Sequence, residues 1–311
     1  MTVVARIPVI ETPTIVGIGE ILWDVFPTGR KLGGAPANFA YGSHLLGSCA
    51  VVVSRVGNDD LGREVRQVLL QKGISDRFVQ TDAALPTGTV RVTLNADGQP
   101  QFEIIKPVAW DSLEWSDELN RLALSADAVC FGSLAQRSAR TQSTIVKFLR
   151  ATRPEAVRVF DVNLRQQFYS DAIIAESMMP GSIVKLSDEE WPLVASLLGL
   201  PANDIRLFCR EAIHKFDLKL VCVTRGQHGS VLVDSTEMNE HPGFRVQVKD
   251  AVGAGDAFTA GLVHEFLRGS ALAMMNDTAN RMGAWVASSE GGMPEPPAEG
   301  LRSALARLES I

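Results

Sequence analysis

Short apolar runs rich in β-branched residues recur along this chain, and helical patterns separate most of them. No other feature constrains the fold as much. The runs cover residues 14–18, 50–56, 128–131, 157–162, 182–186, 218–224 and 230–233. Residues 36–46, 61–72, 141–150, 188–198 and 205–216 repeat apolar side chains at helical spacing. Nearly unbroken Val, Ile and Leu suits strands buried on both faces. The expected class is therefore α/β, a mainly parallel sheet with helices on both faces. In such sheets ligands bind beyond the carboxyl ends of the strands, which raises the expectation of function for Asp161, Ser187, Thr224 and Asp256.

One stretch departs from this pattern. Residues 89–105 alternate apolar and polar on both sides of Asn95-Ala96-Asp97-Gly98, as an antiparallel hairpin does. Residues 20–27 are also extended and end in a turn. Two segments, near 20–32 and 87–106, are expected to combine into a small β-sheet lid inserted in a body of residues 14–311. The alternative is an edge hairpin of the main sheet. Residues 1–13 read as a frayed N-terminal arm. Val90, Val92 and Leu94 would face either a bound ligand or a second copy, so a homodimer through the lid is one expected arrangement.

Hydrophobic residues make up 46% of the chain and charged residues 21%, as in ordinary globular enzymes. The formal net charge of -6 argues against nucleic acid or an anionic membrane as partner. No apolar stretch reaches the roughly 18 residues of a membrane span, and Pro8, Glu11 and Pro13 interrupt any signal-like run, so a cytoplasmic location is expected. Of four cysteines, Cys49, Cys130 and Cys222 lie in or beside apolar runs and are expected to be buried thiols. Neither the cysteines nor the five histidines have the spacing of a metal site.

Two glycine motifs carry the chemistry. In Lys249-Asp250-Ala251-Val252-Gly253-Ala254-Gly255-Asp256-Ala257-Phe258 a tight turn feeds a helix, with Arg268-Gly269 as its end. Unbonded N–H groups and the helix dipole make such a terminus an anion site. Asp256 is a carboxylate in that site. Taken alone it is either a first-turn acid favouring the dipole or a base beside a transferring phosphoryl group. In Lys31-Leu32-Gly33-Gly34-Ala35-Pro36-Ala37-Asn38 two glycines precede a proline at a helix start, with Asn38 in the first turn and its amide free to bond. Neither motif fits the Walker A or dinucleotide patterns.

Together these strings resemble the two signatures of the ribokinase-like (PfkB) carbohydrate kinases, and Gly19-Glu20-Ile21-Leu22-Trp23-Asp24 looks most like the fructokinase branch. The resemblance covers nearly the whole chain from Thr14. It implies an ATP-dependent sugar kinase, most like one making fructose 6-phosphate. Kinases of other small substrates (ribose, 2-keto-3-deoxygluconate, a nucleoside) and a non-catalytic sugar-binding relative are the alternatives. By resemblance, Asp256 is the base, and the amides of Gly253, Ala254 and Gly255 form the anion hole. Asp24, Gly33, Gly34, Asn38 and Arg165 lie at the sugar. Thr224, Gly226, Gly229 and Asn280 lie at the nucleotide. Glu190 is linked to the water shell of Mg²⁺, and Asp250 is assigned to a metal. Structural alternatives stay open for Arg165 (an ion-pair partner), for Thr224 and Gly226 (turn residues) and for Asn280 (a helix-surface residue). Two positions depart from the family pattern. Ala251 stands where a threonine is usual, which puts K⁺ activation in doubt. Ser187 replaces the asparagine of the Asn-x-x-Glu segment.

Overall fold

The computed structural model describes residues 12–27, 29–94, 100–179 and 181–309. Most of the expected N-terminal arm and the turn at 95–98 lie outside the described residues. The chain runs β1 (Thr14–Ile18), β2 (Leu22–Phe26), β3 (Gly29–Gly33), α1 (Ala35–Leu45), β4 (Cys49–Gly57), α2 (Asp60–Gln71), β5 (Val79–Asp82), β6 (Gly88–Leu94), β7 (Pro100–Ile104), α3 (Asp117–Ser125) and β8 (Ala128–Gly132). It continues α4 (Ala139–Ala151), β9 (Val157–Asp161), α5 (Asp171–Ser177), β10 (Ile183–Ser187), α6 (Trp191–Leu198), α7 (Ile205–Phe216), β11 (Leu220–Thr224), β12 (Ser230–Val233), β13 (Met238–His241), α8 (Ala254–Leu267), α9 (Leu272–Ala287) and α10 (Leu301–Ala306).

The main sheet has nine strands in the order β13-β12-β11-β10-β9-β8-β1-β4-β5. Pairing is parallel from β5 to β11 and antiparallel for β12 and β13. Successive side chains in a strand point to opposite faces, and the sheet accordingly carries a separate core on each side. Val16, Ile18, Val129 and Phe131 pack with Phe148 of α4 and Phe208 of α7. Ile15, Ala128 and Cys130 pack instead with Phe39 of α1, Phe258 and Leu262 of α8, and Ala279 of α9. Each fully buried Phe contributes on the order of 1.5–3 kcal/mol by leaving water. Helix α8 is buried on every side over Ala257–Val263, between the sheet, α1 and α9. Its N-terminus therefore opens in the middle of the molecule.

A second sheet, β3-β2-β6-β7, is separate from the first. β6 and β7 form the expected hairpin, and β6 joins β2 in parallel. The edge-hairpin alternative falls. Val90 is 5% exposed and packs into the core with Leu22, Ile104 and Trp110. Cys49 also departs from expectation. It opens β4 with its side chain exposed, while Cys130, Cys209 and Cys222 are buried. Helix α6 starts at Trp191 rather than 188, because Ser187–Glu190 forms a turn with Glu190 N–H donating to the Ser187 carbonyl.

Candidate active site

The N-termini of α1 and α8 meet. Gly34 caps α1 with no side-chain cap bond, and Pro36 lies in the first turn, where its missing N–H costs nothing. Gly253 caps α8 in the left-handed region, with φ 77. A Cβ on Gly253 would lie 2.4 Å from Gly292 Cα, and a Cβ on Gly292 would lie 2.7 Å from Asn38 Oδ1. Gly253, Gly292 and Asn38 are thus in direct contact. Across this junction Asn38 Nδ2 donates to Asp256 Oδ2 at 2.8 Å. The Asn38 amide is engaged rather than free, although its Oδ1 is buried with no hydrogen-bond partner.

Asp256 is partly exposed in the first turn of α8. Burial, and then the charge of Asp161, push its pKa up to about 6, against Lys185, the Asn38 bond and Arg165. Gly253, Ala254 and Gly255 stand where a helix lacks intrahelical acceptors for its N–H groups. Ala254 N–H is turned back to the Ala251 carbonyl at 3.3 Å. Beneath this turn lies a buried ion pair. Lys185 Nζ is 3.0 Å from Asp161 Oδ1, and a Cβ on Gly255 would come 3.0 Å from the same ammonium. The Thr259 hydroxyl lies 3.0 Å from Asp161 Oδ2 and 2.9 Å from the Gly255 carbonyl. Burial works against the Lys185 charge, but Asp161, Asp256 and Glu190 outweigh it and hold the ammonium protonated.

Asp24, on β2, is held up to about 6 by burial, with Asp250 adding to the shift and Arg165 and Lys31 opposing it. A Cβ on Gly33 would lie 2.6 Å from Asp24 Oδ2, so the glycine leaves room for this carboxylate. Arg165 is exposed, makes no ion pair among the described residues, and donates to the Leu164 carbonyl at 3.1 Å. Its charge is felt by Asp24, Glu20 and Asp256. The ion-pair alternative for Arg165 therefore has no partner among these residues.

Beside the N-terminus of α8 is a cleft of about 550 Å³ lined by Thr224, Gly226, Gly229, Phe244, Ala254, Gly255 and Asn280, among others. Asn280 is 8% exposed, which removes the helix-surface alternative. Its Nδ2 donates to Ser230 Oγ at 2.7 Å and to the Asn276 carbonyl at 2.8 Å. Thr224 ends β11 and Gly226 opens a short 3-10 turn that runs to His228, and both line the cleft.

Glu190 and Asp250 differ as metal candidates. Glu190 Oε1 accepts from Leu164 N–H at 2.7 Å and Oε2 from Ser187 N–H at 2.8 Å. One bond on each oxygen leaves lone pairs for water. Asp250 is more fully engaged: Oδ2 accepts from Lys31 Nζ at 2.9 Å and Gly291 N–H at 3.2 Å, and Oδ1 from Val252 N–H at 3.1 Å, which leaves capacity on Oδ1 alone. No group of three or more His, Cys, Asp or Glu able to hold a metal occurs among the described residues.

Glu20, Lys31, Lys185, Thr259 and Gly292 belong to this site without having been assigned to it from sequence. A lysine inside the apolar strand Ile-Val-Lys185-Leu was a legible signal for the first layer beneath the loop. Glu20, 2% exposed with Oε2 lacking a partner, is pushed up to about 7 by burial. It adjoins Gly19 in a motif already singled out. Gly292 gave no signal, because only contact with Asn38 and Gly253 explains it.

Residues 15–299 match the family model described as pfkB family carbohydrate kinase. A fructokinase of Escherichia coli is 30% identical over 309 residues, covering 90% of this chain and 95% of the relative. The structure of Vibrio cholerae fructokinase with fructose, ADP and calcium bound superposes with a TM-score of 0.77 at 26% identity, covering 96% of this chain and 99% of that one. Aminoimidazole riboside kinase from Salmonella enterica has the same fold, with a TM-score of 0.77 at 24% identity over 94% of this chain and all of that one (100%). The matched family model, the two-sheet architecture and the meeting of both signatures at one junction agree: the chain belongs to the pfkB family of carbohydrate kinases, which phosphorylate sugars at the expense of ATP.

Proposed function

We propose that the protein transfers the γ-phosphoryl group of ATP to a hydroxyl of fructose, giving fructose 6-phosphate. The observation that carries this reading is the 2.8 Å bond from Asn38 to Asp256, which fixes a carboxylate of raised pKa at an anion-binding helix N-terminus. Asp256 takes the proton from the attacking hydroxyl, and Asn38 holds the carboxylate in position for it. The amides of Gly253 and Gly255 and the dipole of α8 stabilise the charge on the transferring group. Arg165 supplies a further positive charge at the same place, and Asp24 orients the sugar from β2. The nucleotide occupies the cleft between Thr224, Gly229 and Asn280. Glu190 suits the water shell of a Mg²⁺ ion that arrives with ATP, because hard cations of this kind keep several waters. When bound, that ion neutralises phosphate charge. Closure of the β2-β3-β6-β7 sheet over the sugar excludes water as a competing nucleophile.

Support for fructose comes from the fructokinase relatives. The aminoimidazole riboside kinase shows that the fold also serves a nucleoside-like substrate. A screen of ADP release over hexoses, pentoses, keto-acids and nucleosides decides between them. Fructose is expected to give the highest kcat/KM. A higher value for another substrate transfers the reading to that substrate. Sugar binding by calorimetry with no ADP release from any substrate contradicts a kinase altogether.

A further inference from the structure

The family resemblance raises a monovalent cation, and Asp250 is one of the two residues assigned to a metal; a protein ammonium already stands at its carboxylate. All three of its hydrogen bonds come from the protein, and one donor is already a cation. Lys31 lies on β3 directly opposite Asp24 of β2 in the antiparallel register. Its ammonium reaches 2.9 Å from Asp250 Oδ2, and its stem passes over Gly291, where a Cβ would lie 4.0 Å from Lys31 Cδ. Asp24 and Asp250 repel each other, and Lys31 offsets that repulsion at Asp24. One ammonium therefore stands between the carboxylate assigned to the sugar and the carboxylate that anchors the anion-hole turn.

We propose that Lys31 is a positioning residue that acts as a built-in monovalent cation, tying the second sheet to the turn at 250–255 and making turnover independent of added K⁺. The inference rests on the kinase reading above. Three features support it. Asp250 bonds Val252 N–H and Gly291 N–H as well as Lys31, so the ammonium sits at a node where the loop before α8 meets the loop after α9. Ala251 has no side-chain oxygen to offer a competing ion. Removing the ammonium would leave Asp250 without an ion-pair partner among the described residues, with Arg165 alone offsetting the charge at Asp24, an arrangement that attracts a cation from solution. The pair itself is partly screened, with side chains 47% and 19% exposed, so its weight lies in placing the loop rather than in global stability.

The test compares wild type, Lys31→Met and Lys31→Arg in K⁺, Na⁺ and tetramethylammonium at constant ionic strength, by ADP release with Mg-ATP and the best sugar. Wild-type and Lys31→Arg rates are expected to agree across the salts to within about twofold. Lys31→Met is expected to lose about fivefold in tetramethylammonium, the upper scale for a screened pair, and to regain most of it in K⁺. Thermal melting in the same salts gives a readout without substrate: only Lys31→Met gains a K⁺-specific rise in Tm. Several-fold K⁺ activation of wild type overturns the proposal. So does a Lys31→Met variant that is fully active in tetramethylammonium with no K⁺-specific change in melting. If no substrate is turned over, the kinase reading fails, and the melting series still decides the cation question.

Discussion

In the role proposed for it, Asp256 must be ionised, and its surroundings decide when that happens. Burial and Asp161 raise its pKa to about 6, so the basic form dominates above that pH and disappears below it. Accordingly, kcat/KM is expected to fall as pH drops through 6, with a plateau above. Asp24, also near 6, should contribute to the same limb. Asp24→Asn should make the limb shallower while leaving it in place. A kcat/KM flat from pH 5 to about 8 would contradict a base so placed. At this scale the motifs exposed most of the site, because glycines, Asn38 and Asp256 are read from type and spacing. The layer beneath was legible only in part: Lys185 interrupts an apolar strand and Asp161 ends one, but their meeting was not readable. Lys185, Asp161 and Thr259 come from two strands and a helix, and only the fold brings them under Gly255.

The elements read correctly where one period dominated. β1, β12 and α7 have the expected bounds, and β4, β8, β9, β10 and β11 lie within one or two residues of theirs. β5 and β13 gave no apolar run: Val-Gln-Thr-Asp and Met-Asn-Glu-His pair along sheet edges, where few side chains need burial. α9 was hidden for a different reason. Its buried side includes Asn276 and Asn280, which satisfy each other, Ser230 and Asn239 inside the protein. The contact of α8 with α9 depends on Gly261, where a Cβ would lie 3.0 Å from both Ala279 Cα and the Thr278 carbonyl. Alanine would recover helix propensity of about 1 kcal/mol against that crowding. Gly261→Val adds two further methyl groups with no space for them. It is expected to destabilise by roughly 1–3 kcal/mol, seen as a lower urea midpoint at unchanged slope. A midpoint equal to or above that of wild type would show that the two helices are not in close contact.

Across the whole molecule, function follows from where the chain reverses direction. From β1 it builds outward to β4 and β5, then returns to lay β8, β9, β10 and β11 on the other side. The crevice at such a switch point is the usual ligand site of a parallel sheet. Both excursions into the second sheet leave from this end: β2 and β3 between β1 and α1, and β6 and β7 between β5 and α3. Strand alternation in the sequence announced the first sheet, and the hairpin announced the second. Their joint consequence, Asp24 on one sheet and Asp256 on a helix packed against the other, needed the three-dimensional structure. No helix of the described residues is long and apolar enough to cross a membrane. The central claim is that Asp256 performs the proton transfer without being needed for the fold. The most direct measurement is the turnover of Asp256→Asn with Mg-ATP and fructose, alongside calorimetric binding of the sugar. The account predicts binding close to wild type and a kcat lower by roughly 10²–10⁴. Turnover near the wild-type rate would contradict it.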